Sequence, residues 1–306
     1  MTLNFLPVIR ILRRAGAVIA NGQDAFCATC DDEPNSSHDA VRVFLALGGD
    51  LEAPVGGAMP EPTQQEASSA RVGDKKKAMA NHDSMTAWLH AAARGDVPLL
   101  QALRDAGADT NACQQTYFGS HTAVGVAAMG ERVEALQQLL AWKVPLCGAN
   151  TDAARPLAAC LEEYDRELFL IARWADKSGN EDYRPDTAPK IALAECCVLL
   201  LEQGERPDPK EIIAACQNLR LLEVLWPHAP RLDADSAAQA LDSVCSAAFN
   251  AQSVETRAPF ARAFLEQGAS LKRIGERYLR KALEHGDAEL VALLKASGAT
   301  ESNEPS

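Results

Sequence analysis

Residues 85–112 read "MTAWLHAAARGDVPLLQALRDAGADTNA" and carry two glycines, Gly95 and Gly107, each closing a short apolar run at helical spacing. The stretch divides into a short helix "TAWLHAAARG", a second helix "VPLLQALRDAG" and an extended "ADTNA". Whether this unit occurs once or builds the whole chain decides the fold, because a missed repeat misreads everything that follows.

The second-helix-plus-glycine pattern returns along the chain. It appears as "VIRILRRAGAVIA" at Gly16, "AVRVFLALGGDLEA" at Gly48, "CCVLLLEQGERPD" at Gly204, "PFARAFLEQGASL" at Gly268 and "ELVALLKASGAT" at Gly298. Less regular copies are "VEALQQLLAWKVPL", "RELFLIARWADK" and "LRLLEVLWPHAPRLDA". Together they give about nine second helices at a period of about 33 residues.

The chemistry of the unit requires an array. Leu99, Leu100 and Leu103, like Leu290, Val291, Leu293 and Leu294, form an apolar stripe that one pair of helices cannot bury alone. Small residues such as Ala91, Ala92, Ala127, Ala128, Ala214 and Ala215 let neighbouring first helices approach closely. A glycine after each second helix suits a left-handed C-cap, where a side chain is strained. Helical hairpins stacked in one array, with no separate globular domain, are the expectation.

These residues resemble the ankyrin repeat, a turn–helix–helix unit. "TAWLHAAARGD" (Thr86 to Asp96) and "GADTNA" (Gly107 to Ala112) match its pattern closely, and "LRKALEHGDAELVALLKASGA" near the C-terminus is again good. "TAVGVAA" (Thr122 to Ala128) and "RPLAAC" (Arg155 to Cys160) are weaker first helices. The resemblance implies an all-α fold, an ankyrin-repeat solenoid of about eight to nine helix–turn–helix repeats with short hairpin turns, over residues 1–300. The degenerate copies and alanine-rich make-up look like bacterial ankyrin proteins. Residues 54–84, rich in Pro, Gly, Gln and Ser, interrupt the array as a low-complexity insertion or linker, with a diverged repeat as the alternative. A loop insertion falls at 175–190, and 301–306 form a polar tail.

Composition narrows the partner. The 306-residue chain has a formal net charge of −12, which disfavours nucleic-acid phosphates and fits a basic protein better. The opening "MTLNFLPVIRILRRAG" is a poor signal peptide, and no stretch reaches the roughly 18 apolar residues of a membrane span. Nine cysteines scattered along the chain suit a reducing compartment, so a soluble cytoplasmic protein is expected, with a monomer the default where the sequence is silent on oligomeric state. "CATC" (Cys27, Cys30) with His38 offers zinc ligands, but no second pair has suitable spacing, and no metal or cofactor is expected. Cys196 and Cys197 lie in an apolar helical run and read as inert packing groups.

The sequence carries no G-x-S-x-G, H-E-x-x-H, P-loop or G-x-G-x-x-G motif. The histidines are scattered, and His90 in "WLHAAA" reads as a packed residue. Glu162, Glu163 and Asp165 around Tyr164 read as a solvated acidic turn, and Lys75 to Lys77 as a solvated basic run. The expected function is therefore not enzymatic. It is protein–protein interaction through the concave surface that ankyrin arrays present.

Aligning Thr86 and Thr122 with the family threonine implies that His82, Asp83, Met85 and Arg94 of one repeat lie on that surface. The same alignment places Tyr117, Phe118, His121 and Met129 of the next repeat there. The Tyr117–Phe118 pair is the strongest cue, since exposed aromatics dominate interface energy. The competing reading folds Phe118 back into the inter-repeat core. Two roles follow from the resemblance: an immunity or inhibitor protein that neutralises a basic toxin, favoured by the acidic balance, and an effector or adaptor that binds a host protein. An enzyme with accessory ankyrin repeats is the remote alternative.

Overall fold

The computed structural model describes residues 41–42, 44–45, 49–52, 85–116, 119–147, 155–161, 164, 191–246, 257–271, 275–284 and 286–299. The 54–84 and 175–190 insertions, the "CATC" motif and residues 301–306 lie outside the described residues. The chain divides into two compact units, Met1–Ala159 and Cys160–Ser306.

The first unit contains the 85–112 stretch. Helix α1 (Ala87–Arg94) starts at Thr86, whose hydroxyl accepts the Leu89 N–H, and stops at Gly95, which turns left-handed at φ 78. Asp96 then caps α2 (Val97–Asp105) by accepting the Leu99 N–H at 2.9 Å, with Pro98 in the first turn where its missing N–H costs nothing. Next come two short antiparallel strands, β1 (Cys113–Thr116) and β2 (Gly119–Thr122), in the register Cys113 to Thr122 and Thr116 to Gly119. Thr122 ends β2 and caps α3 (Ala123–Met129), and α4 (Val133–Ala141) completes the second hairpin. The turn before α3 is thus drawn out into a small sheet within an otherwise helical fold.

First helices pack on first helices, α1 on α3, and each packs on its own second helix, α2 or α4. Trp88, Leu89, Leu99, Leu100, Leu103, Leu136 and Leu139 fill the space between, all essentially inaccessible. The alanines allow the close approach: Ala91, Ala92, Ala127 and Ala128 are fully buried.

The left-handed positions recur in register, and the second hairpin uses other residues for them. Where the first has Gly95 and Gly107, the second has Glu131 (φ 56) and Lys143 (φ 59) at the equivalent step along the chain. A glycine does stand beside Glu131, for a different reason. A Cβ on Gly130, whose φ is −80, would sit 3.0 Å from the Ala93 carbonyl oxygen of α1. Gly130 thus serves close approach between repeats, while Glu131 takes the turn. Arg132 reinforces the junction by donating from Nε to the same Ala93 oxygen at 3.1 Å.

The second unit repeats the plan. It contains α5 (Ile191–Glu202), α6 (Pro209–Ala215), α7 (Leu219–Leu225), α8 (Ala234–Ser246), α9 (Ala258–Glu266), α10 (Gly275–Glu284) and α11 (Ala288–Ala296). The first helices α6, α8 and α10 lie side by side; α5 packs on α7, and α9 on α11. Gly204, Gly268 and Gly298 close second helices in the left-handed region, as the sequence pattern predicts. A reciprocal capping box, Asp208 with Glu211, starts α6. Trp226 in the short 3-10 turn after α7 meets Phe264 of α9 edge-on at 5.2 Å. Among the described residues no helix is long and apolar enough to cross a membrane.

Candidate protein-interaction face

The threonines that align the repeats do their structural work in both hairpins. Thr122 accepts the Gly125 N–H at 3.3 Å and donates its hydroxyl proton to the Leu146 carbonyl at 3.0 Å, beyond α4. One side chain therefore starts α3, ends β2 and ties both to the following loop. The β1–β2 hairpin is held at its base in this way, with residues 117 and 118 between the two strands.

The expected contact residues fall into three groups. Arg94 is exposed at the end of α1 and Met129 is half-buried at the end of α3, so these two neighbouring first helices each present one of them. Tyr117, Phe118, His82 and Asp83 lie outside the described residues. Met85 and His121 depart from expectation: Met85 is 7% exposed and His121 is fully inaccessible, so neither offers its side chain to a partner.

The reason is positional. Met85 and His121 each stand immediately before the N-cap threonine of a first helix. A side chain there characteristically folds back onto the first turn of the helix and fixes how the chain enters it. That position was legible in the sequence as the residue before Thr86 and Thr122, and reading it as a staple would have placed both side chains inside. His121 is nevertheless unlike Met85, because among the described residues neither Nδ1 nor Nε2 has a hydrogen-bond partner. Burial alone holds its pKa below the ordinary histidine value.

The sequence does not reveal the stack that joins α1, α2 and α4. Trp88 of α1 stacks on Trp142 at the end of α4, with ring centroids 6.3 Å apart, and the Arg104 guanidinium of α2 sits 4.8 Å from the Trp142 ring centre. Three elements are pinned by one aromatic–cation stack. Glu52 accepts the Asp109 N–H at 2.8 Å, tying the preceding segment to the loop that leads into β1.

In the second unit the polar side chains serve packing. Arg257, 5% exposed, donates from Nη1 to the Val244 carbonyl at 2.8 Å, while its N–H reaches Asp287, the residue that caps α11. The Tyr278 hydroxyl donates to Asp242, which also pairs with Arg277 at 2.6 Å, so α8 and α10 are joined by a three-residue cluster. Burial and the Asp242 carboxylate push the Tyr278 phenol well above its usual range. Cys196 and Cys197 are buried, and burial raises the Cys216 and Cys245 thiols, the latter to about 12. Such thiols are inert. Tyr164 is buried, whereas Glu162, Glu163 and Asp165 lie outside the described residues. Among the described residues, no three His, Cys, Asp or Glu side chains converge as a metal site.

No family model matches the sequence, and no curated protein matches it. Among solved structures, the chain is similar to the ankyrin repeat domain of human ASB11, with 19% identity and a TM-score of 0.44, covering 71% of this chain and 85% of that one. It is also similar to a chain in the complex of the Bd0816 predatory endopeptidase from Bdellovibrio bacteriovorus with immunity protein Bd3460. That match has 20% identity and a TM-score of 0.36, covering 70% of this chain and 98% of that one. In its own geometry the fold is of ankyrin type: paired short helices in two layers, left-handed turns after them, and a β-hairpin leading into the next first helix.

Proposed function

We propose that the chain is a non-enzymatic scaffold that binds a protein partner. The partner engages a face made by the β1–β2 hairpin and the ends of α1 and α3. The observation that most supports this reading is the anchoring of the hairpin. Thr122 fixes its base to both α3 and the loop after α4, so the end of β2 is anchored at two points. Stacked repeats extend such a face along the array without needing a single enclosed pocket.

Within this reading Tyr117 and Phe118 are the anchors, with Arg94, Met129, His82 and Asp83 around them. Met85 and His121 support the face from beneath. The net charge of −12 favours a basic partner, since an acidic binder steers onto a basic one, and neutralisation of a basic toxin is the finer role this suits. The alternative is an adaptor or effector whose partner is a host protein.

The test has two parts. Identification of the co-purifying protein separates the two roles. Replacing Tyr117 and Phe118 together by Ala then weakens that complex by about 2–4 kcal/mol while leaving thermal stability nearly unchanged. A large loss of stability, or unchanged affinity in a stable double mutant, removes this site assignment.

A further inference from the structure

We infer that His121 makes the β1–β2 hairpin an acid-sensitive element, held shut while the imidazole is neutral and released when it takes a proton. The link to partner binding rests on the function proposed above; the device itself belongs to the free protein.

His121 occupies the position before the N-cap threonine that Met85 fills in the preceding repeat, and both side chains are buried there. A thioether in that slot asks for nothing. An imidazole asks for a hydrogen-bond partner at each nitrogen, and among the described residues His121 has none. Its near neighbour is the backbone of Gly125 at the start of α3, where a Cβ would lie 3.8 Å from Nδ1. A neutral ring is tolerated in such a slot at modest cost. A cationic ring has two donors and a charge to satisfy, which in an apolar slot is far more costly.

Among the described residues the surrounding charges offer no compensation. On β1 the titratable side chain is Cys113, whose thiol is directed at the Asn111 carbonyl, and Gln114 lies opposite His121 in the register. Helix α3 has no ionisable residue. Helix α1, which packs on α3, carries His90 and Arg94. Neither these nor any other described charged group contributes to the imidazole's lowered pKa, which follows from burial. Among the described residues nothing compensates the cation, so protonation is relieved by moving the ring to water. Since His121 is part of β2, that movement takes the hairpin with it.

The sign is fixed by linkage. The folded-state pKa is lowered, so the open or unfolded state binds the proton first. Stability of the closed hairpin is fully present above about pH 6.5 and falls as pH drops below it, by up to about tenfold in the opening constant per pH unit for one proton.

The test uses the full chain without a partner. Hydrogen exchange of the 113–122 amides, corrected for the intrinsic pH dependence, is compared at pH 7.5, 6.5 and 5.5 in the native protein and in His121→Met, which copies the residue of the preceding repeat. We expect hairpin protection to fall by up to about tenfold between pH 6.5 and 5.5 in the native protein and to stay flat in the variant. Protection that ignores pH, or falls equally in both, overturns the inference. Should His121→Met fail to fold, the titration of the assigned His121 ring proton decides: an apparent pKa at or above about 6.5 overturns it. Because no partner is involved, the outcomes separate from the binding reading. A tip double mutant that loses the partner beside a pH-indifferent hairpin sinks only this inference, and the converse sinks only the other.

Discussion

Gly107→Ala and Lys143→Gly make a matched pair that tests the repeat register directly. Both residues follow a second helix and both have positive φ, 90 at Gly107 and 59 at Lys143. A Cβ on Gly107 would meet nothing within 4 Å, so any cost of alanine there comes from the backbone and not from crowding. Holding an L-residue in the left-handed region costs about 1–2 kcal/mol, and φ 90 lies beyond the usual left-handed value near 57, toward the upper end of that range. Alanine also reduces the freedom of the unfolded chain, which offsets about 0.4–1 kcal/mol. The net expectation is a destabilisation of about 1 kcal/mol. At Lys143 the same terms act with opposite sign, and glycine stabilises by somewhat under 1 kcal/mol. With a urea slope of about 1–3 kcal/mol per molar, the two midpoints move about 0.3–1 M in opposite directions at unchanged slope, as followed by far-ultraviolet circular dichroism. A Gly107→Ala protein with an unchanged or higher midpoint, or a Lys143→Gly protein with a lower one, would falsify the claim that these positions are equivalent turns of successive repeats.

Two further substitutions probe the second unit. Asp208→Ala removes the capping box with Glu211 and should cost about 1 kcal/mol in urea unfolding, whereas Asp208→Asn or Asp208→Ser retains most of the native value; equal losses in all three would argue against a capping role. Tyr278→Phe removes the phenol that donates to Asp242 and should cost about 1.5–3 kcal/mol, since the acceptor is a partly buried carboxylate. If Tyr278→Phe unfolds at the native midpoint, the Asp242–Tyr278 bond does not tie α8 to α10.

The sequence by itself determined the repeat. Apolar residues at helical spacing, small residues on the first helices, and glycines after the second ones are local requirements of one hairpin, so each copy states them independently. Gly95, Gly107, Gly204, Gly268 and Gly298 all turn left-handed as that pattern requires. The Thr86 and Thr122 caps were equally visible, because a hydroxyl bonding an N–H three residues on is a contact within one turn. The tertiary structure decided what depends on the neighbouring repeat. Gly130 follows a first helix, where its need for glycine is set by the Ala93 carbonyl of α1, and the left-handed turn falls to Glu131. Met85 and His121 read as surface residues when only the repeat register is weighed; the place before an N-cap threonine carries the competing local signal of a side chain folded onto the helix, and the structure shows both buried. A contact face is the remainder that stacking leaves uncovered, and only the packed array fixes that remainder.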